Sequence, residues 1–227
     1  LQLKDEKFND ENINSLNHSL DKNNIDEQDK ENPSLFPLGY AKSQFHKTYI
    51  ISETDKGIII IDQHAAHERL VYERLKKDFF EKKIKTQVLL IPVVIDIDFS
   101  VIENLEEKLQ QVSEYGVKIE IFGKTSVIVR ELPHILANCN VKKLVIDLIE
   151  EVVETNDSKS VENEINKICS KMACHGSIRA GRDLQVDEMN DLLRKMESTP
   201  FSGQCNHGRP TYVELKIDDI EKLFGRK

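Results

Sequence analysis

At 227 residues the chain is longer than one average domain and shorter than two comfortable ones. Its composition, 39% apolar and 32% charged with no Trp, is that of a globular protein able to bury a core. The longest apolar runs, residues 58–61 and 88–91, fall far short of the roughly 18 residues that cross a bilayer, which excludes a membrane-spanning helix, and no signal peptide is visible.

The net charge of -8 argues against gripping nucleic acid by bulk electrostatics. Nine acidic and four basic side chains fall in residues 1–34, so the remainder carries about -3 and has room for a local basic patch. That first stretch is rich in Asn, Asp, Glu and Lys and lacks a sustained apolar period. It reads as a disordered acidic linker, with order beginning near Leu35. Four Cys at irregular spacings in a chain of cytoplasmic character suit thiols or metal ligands better than a disulfide framework.

Beyond Pro37 the pattern predicts strands at 39–45, 48–53 and 58–61, the last two joined by a polar turn at 54–57. Leu70, Val71, Leu75 and Phe79 recur at helical spacing across 64–83, so a helix follows directly on the Ile run. The middle of the chain reads as a strand at 88–97, a helix at 100–114, strands at 117–122 and 126–131, and a helix at 141–154. A polar loop at 155–160 precedes a helix at 161–178, another at 186–196, a turn at 199–203, a strand at 211–215 and a short terminal helix from about 217. Together these elements make an α+β fold.

Three segments carry groups capable of chemistry. The first runs Asp62-Gln63-His64-Ala65-Ala66-His67-Glu68 and on to Glu73. His64 and Glu68, four residues apart, share a helical face, and with Asp62 at the helix entrance they can hold a divalent cation. Asp62 can equally serve only as the helix N-cap, and exposed His and Glu are common on a solvated face. His67 is a weaker candidate. The second segment, Cys205-Asn206-His207-Gly208-Arg209-Pro210, presents sulfur and nitrogen from a tight turn, a pairing that favours zinc over magnesium. The third, Ala173-Cys174-His175-Gly176, adds Cys174 as a soft ligand if the fold brings it near; alone, it reads as a buried helix cysteine. Cys139 and Cys169 lack such company and read as core or surface thiols.

Taken together the segments resemble the C-terminal domain of the MutL family of DNA mismatch-repair proteins, in the branch that bears its own endonuclease. Residues 62–73 match that branch's pattern Asp-Gln-His-Ala, two residues, Glu, four residues, Glu at every fixed position. Ala173-Cys174-His175 resembles its Ala-Cys-Arg segment, with His175 as the third residue. Residues 205–210 resemble its Cys-Pro-His-Gly-Arg-Pro, with Asn206 in place of the first Pro, and Phe224-Gly225-Arg226 its Phe-x-Arg ending. The resemblance spans about residues 35–227. In its light Gln87-Val88-Leu89-Leu90-Ile91-Pro92 resembles the family's peptide for the replication sliding clamp, with Gln87, Leu89, Leu90 and Pro92 as its binding residues. Read without the family, it is a buried strand.

The resemblance implies a two-lobed domain from a discontinuous chain. Residues 35–86 and 179–227 would form a dimerisation lobe bearing the endonuclease site, and 87–178 a regulatory β-α-β-β-α lobe with a connecting helix. It implies metal-dependent nicking of duplex DNA, with Asp62, His64 and Glu68 as catalytic residues. His64, Glu68, Cys174, Cys205 and His207 would hold one or two ions, and Asp62 would bind the catalytic ion or orient the attacking water; the implied metals are Zn2+, with Mn2+ or Mg2+ for cleavage. Glu73 would brace the helix, while Arg69, Lys76 and Lys77 would meet phosphate. The implied partners are a second copy, duplex DNA, the clamp, and the mismatch-recognition protein MutS through the full-length protein. No ATP-binding signature is present, so ATP control is expected in an N-terminal domain outside this sequence. Two other readings compete: a non-catalytic dimerisation and interaction module with structural zinc, and a zinc hydrolase of small substrates. The intact Asp62 motif stands against the first, and the want of a second catalytic carboxylate motif against the other.

Overall fold

A computed structural model describes residues 36–154, 161–177 and 182–226. The linker expected at 1–34, the loop expected at 155–160 and residue 178 at the end of the helix expected over 161–178 lie outside the described residues.

In chain order the elements are β1 (Tyr40–Phe45), β2 (Tyr49–Thr54), β3 (Gly57–Asp62), α1 (Gln63–Phe80), β4 (Thr86–Asp96), α2 (Phe99–Glu106), α3 (Leu109–Glu114), β5 (Lys118–Ile121) and β6 (Ser126–Pro133). After a 3-10 turn at His134–Leu136 come α4 (Val141–Glu154), α5 (Val161–Gly176), α6 (Val186–Ser198), β7 (Tyr212–Lys216) and α7 (Ile217–Leu223). The fold is α+β, with two antiparallel sheets in the orders β1-β2-β3-β7 and β4-β6-β5.

The first sheet forms because the Ile run at 58–61 is short, β-branched and flanked by turn residues. Gly57 opens β3 at φ +156°, where a Cβ would stand 2.1 Å from the Leu215 carbonyl oxygen; only glycine lets β7 approach that closely. Ile50, Ile59 and Ile61 point inward and pack with Leu38, Ala41, Ala66 and the α6 residues Met189, Leu192, Leu193 and Met196. The β2–β3 register pairs Ile50 with Ile61 and Ser52 with Ile59 on this inner side, and Ile51 with Ile60 on the other. The β3–β7 register sets Val213 beside Ile60 and Leu215 beside Ile58. An ordinary half-solvated sheet turns polar residues outward. Here the outer side carries Phe45, Tyr49, Ile51, Ile58, Ile60, Val213 and Leu215.

The larger core gathers the second sheet and five helices, α1 to α5. Ile95, Val127 and Val129 meet Leu144, Leu148, Ile168 and Met172, and α1 contributes Val71, Tyr72 and Leu75. Helix α1 therefore belongs to both cores, through Ala66 to the smaller one and through its second half to the larger.

Two expectations are corrected. The helix expected over 100–114 divides into α2 and α3. At the break the Lys108 N–H bonds to the Leu105 carbonyl, and its ammonium reaches the Val152 carbonyl in the last turn of α4 at 2.8 Å, complementing that helix's negative end. The Gln87–Pro92 stretch is not a buried strand. Between the pairs Val88↔Glu131 and Val93↔Val129 strand β4 takes five steps against two on β6, so the extra residues leave the ladder as a bulge. Leu90 is 101% exposed and Ile91 82%, whereas Leu89 folds back on the core.

Candidate metal centre

The run from Asp62 to Glu73 begins where β3 ends. Asp62 takes the extended conformation of an N-cap, and its Oδ1 accepts from the backbone N–H of His64 and of Ala65, each at 3.0 Å. This satisfies two of the free donors of the first turn and starts α1 at Gln63. The helical period then sets His64, 42% exposed, one turn before Glu68, which is buried.

Glu68 is where the separate segments meet. Its Oε1 accepts from the Cys174 thiol of α5 at 3.2 Å and from the Asn206 Nδ2 at 3.0 Å, while its Oε2 lies 3.9 Å from His64 Nε2. Ser177 Oγ stands 3.3 Å from His64 Nδ1. A buried carboxylate needs such partners, since an unpaired one is costly to hold in a low-dielectric interior. Burial, then the hydrogen bond to Glu68 and its charge, push the Cys174 thiol up to about 12, so it keeps its proton at neutral pH.

Of the six expected ligands, contacts join His64, Glu68 and Cys174. Cys205 and His207 flank Asn206 in the turn that bonds to Glu68, Cys205 buried and His207 exposed, and neither side chain joins that contact. That turn is tight: the Gly208 N–H bonds to the Cys205 carbonyl, and the Cys205 N–H to the Arg209 carbonyl at 2.7 Å. Asp62 sits at the helix start with one carboxylate oxygen engaged as the cap. Among the described residues no group of three His, Cys, Asp or Glu side chains stands ready to hold an ion. The donor types nonetheless suit a divalent cation, and beside them the Asn206 Oδ1 is buried without a hydrogen-bond partner.

Other residues take up structural work. Arg69 is held by Glu73 at 2.6 Å and only 14% exposed, so it braces α1 rather than meeting phosphate. Cys174 is exposed as a residue while its sulfur turns inward to Glu68, so it is not a core cysteine. His175 pairs with Asp147 of α4 at 2.8 Å, pinning α5 to it. Gln63, fully buried, accepts from Gln44 at 2.5 Å, and Gln44 also holds the segment leading into α6 through the Arg182 carbonyl and the Leu184 N–H. The roles of Gln63, Gln44, Ser177 and Asn206 escape sequence reasoning, because their partners lie as far as 140 residues away.

An α+β chain whose first sheet turns an apolar face outward belongs to the class of oligomerising domains. A family model described as the MutL C terminal dimerisation domain matches residues 42–184. The DNA mismatch repair protein MutL of Nitrobacter winogradskyi is 51% identical over 191 residues, covering 84% of this chain and 32% of that protein. Those of Afipia carboxidovorans and of Rhodopseudomonas palustris strain BisB5 are each 50% identical over 191 residues, covering 84% of this chain and 31% and 32% of theirs. The chain belongs to the MutL family of DNA mismatch repair proteins, in the part that forms its C-terminal dimerisation domain. It spans about a third of the length of the curated relatives it matches. Among the described residues no helix is long and apolar enough to cross a membrane.

His67 supplies a test of the packing around α1. Desolvation first, then Lys195, His64 and Arg182, lower its pKa from 6.5 to about 4. The folded chain binds this proton less readily than the unfolded one, so the neutral imidazole contributes stability that is complete above about pH 6.5 and is lost as pH falls toward about 4. Urea unfolding with a chelator present should show its midpoint falling across that window, and His67→Phe should flatten the fall. An unaltered slope in the variant would remove His67 as the cause.

Proposed function

We propose that this chain is the metal-dependent endonuclease and dimerisation part of a mismatch-repair MutL protein, nicking duplex DNA by phosphodiester hydrolysis. The observation that carries the reading is the buried Glu68 carboxylate, on which Cys174 and the Asn206 of the Cys205–His207 turn converge one helical turn from His64. His64, Glu68, Cys174, Cys205 and His207 would hold Zn2+, with Mn2+ or Mg2+ serving cleavage. A bound ion supplies hydroxide near neutral pH and neutralises charge building on the transferring phosphoryl group. Cys174 must give up its proton to act as a ligand. Asp62 uses one oxygen to start α1, and its other oxygen is the anionic group proposed for the cleavage ion or for orienting the attacking water. Outside residues 1–34 the chain is close to neutral, so it binds DNA weakly alone. Delivery of DNA is assigned to the clamp, to MutS and to an ATP-binding domain elsewhere in the longer protein.

Asp62→Asn keeps a capping oxygen but loses the anionic one, and should abolish nicking of supercoiled plasmid with manganese or magnesium while the thermal midpoint holds. Cys205→Ala should instead lower zinc content, with activity falling as a consequence. Wild-type nicking by Asp62→Asn would hand the assignment to the non-catalytic interaction module.

The second copy is assigned to the outer face of the first sheet, where Ile58, Ile60, Val213 and Leu215 form an apolar patch too continuous for solvent. Ile60→Glu should turn a dimer into a monomer in sedimentation equilibrium, because the new charge is buried in the dimer and hydrated in the monomer. Retention of the dimer would place the interface elsewhere.

The clamp is assigned to the β4 bulge, which presents Leu90 wholly outward between Gln87 and Pro92. Gln87 is already engaged, its Oε1 lying 3.1 Å from His134 Nδ1, so Leu90 is the cleaner probe. Leu90→Ala removes no core contact and should weaken clamp binding measured by calorimetry at an unchanged thermal midpoint. Undiminished binding would reduce the bulge to an irregular strand.

A further inference from the structure

We propose that Asn206 is a positioning residue of this centre, its side-chain amide holding the Glu68 carboxylate in the orientation that meets the ion. The inference rests on the metal-site reading above. Glu68 is buried on α1, and Asn206 Nδ2 donates to its Oε1 at 3.0 Å across a separation of 138 residues. The other donor to that oxygen is the Cys174 thiol. Were Cys174 to serve as a ligand its thiol would no longer donate to Glu68, whereas the Asn206 amide would still hold Oε1, with Oε2 lying on the His64 side. Outer hydrogen bonds of this kind fix a ligand's rotamer and tune its affinity.

The same bond does a second job. Asn206 lies between Cys205 and His207, so anchoring it to α1 also fixes the turn that bears both donors against the helix that bears Glu68 and His64. The Pro of the pattern this turn resembles has no side-chain donor; here the turn is attached by a bond which that pattern lacks. The Asn206 Oδ1, buried and unpartnered, is the remaining acceptor beside the site and is placed to receive a donor that arrives when the site is filled.

The test uses the full chain, wild type and carrying Asn206→Ala or Asn206→Leu, each also combined with Glu68→Gln. Zinc affinity is read by competition with a chromophoric chelator and manganese affinity by paramagnetic resonance. Both single variants should bind 10- to 100-fold more weakly, roughly the effect of losing an outer partner. Both variants remove one of the two donors to the buried Glu68 oxygen, so their chelator-treated thermal midpoints should fall, and Glu68→Gln should make that fall smaller because no charge is then left unpaired. Asn206→Ala should add no further loss of affinity to Glu68→Gln. Wild-type affinity in either single variant, or an equal loss of affinity in the Glu68→Gln background, would overturn the role for Asn206. A wild-type chain that binds neither ion would instead bring down the metal-centre reading, and this inference with it.

Discussion

Helix α1 has to satisfy two cores at once, and the arrangement of the other elements follows from how it does so. Its first turn packs Ala66 against the first sheet and α6, and its later turns carry Val71, Tyr72 and Leu75 into the larger core, chiefly beside α5. A helix turns 100° per residue, so the faces serving the two cores are offset along and around one 18-residue rod. Between them lies Glu68, a carboxylate the packing has buried. A charge in that position destabilises the fold unless polar groups surround it, and α5 and the 205–207 turn deliver them. The geometry that joins the two cores is thus the one that collects the candidate centre.

The entrance of α1 is fixed just as firmly. Asp62 closes the helix start, Gln63 beside it is fully buried, and Gln44 ties β1 to the approach to α6. His64 lies between this anchored start and the buried Glu68, with Ser177 Oγ 3.3 Å from its Nδ1. Preorganisation of that kind is what a metal centre requires of its ligands, since disorder in a ligand is lost again as binding free energy.

Much of this was legible in the sequence, for identifiable reasons. Strands β1 to β3, helix α4 and the start of α5 follow from β-branched runs, helical periods and turn residues, all local signals. The Asp62 to Glu73 run announced its helix and the shared face of His64 and Glu68 because four-residue spacing is a property of the helix itself. The division of α2 from α3 was not legible, because it depends on Lys108 meeting the end of α4, a tertiary contact. The β4 bulge was hidden for a different reason: an apolar run has the same composition whether it lies in a ladder or leaves it, and only the β6 register tells the two apart. Asn206, in the sequence no more than a departure from the resembled pattern, is an anchor to Glu68 that stays hidden because its partner lies on a distant helix.

The remaining apolar surface is distributed in a way that bears on the division of labour. The first sheet turns Ile58, Ile60, Val213 and Leu215 outward, and the second sheet turns Leu90 and Ile91 outward from a bulge; the Glu68 cluster belongs to neither patch. A sheet face is broad and flat, which suits a self-complementary contact between two copies. A bulge is narrow and protruding, which suits insertion into a partner's pocket. Helix α1 packs on β3 of the first sheet and on α5, which lies in the core of the second, so the Glu68 cluster stands between the two patches without belonging to either.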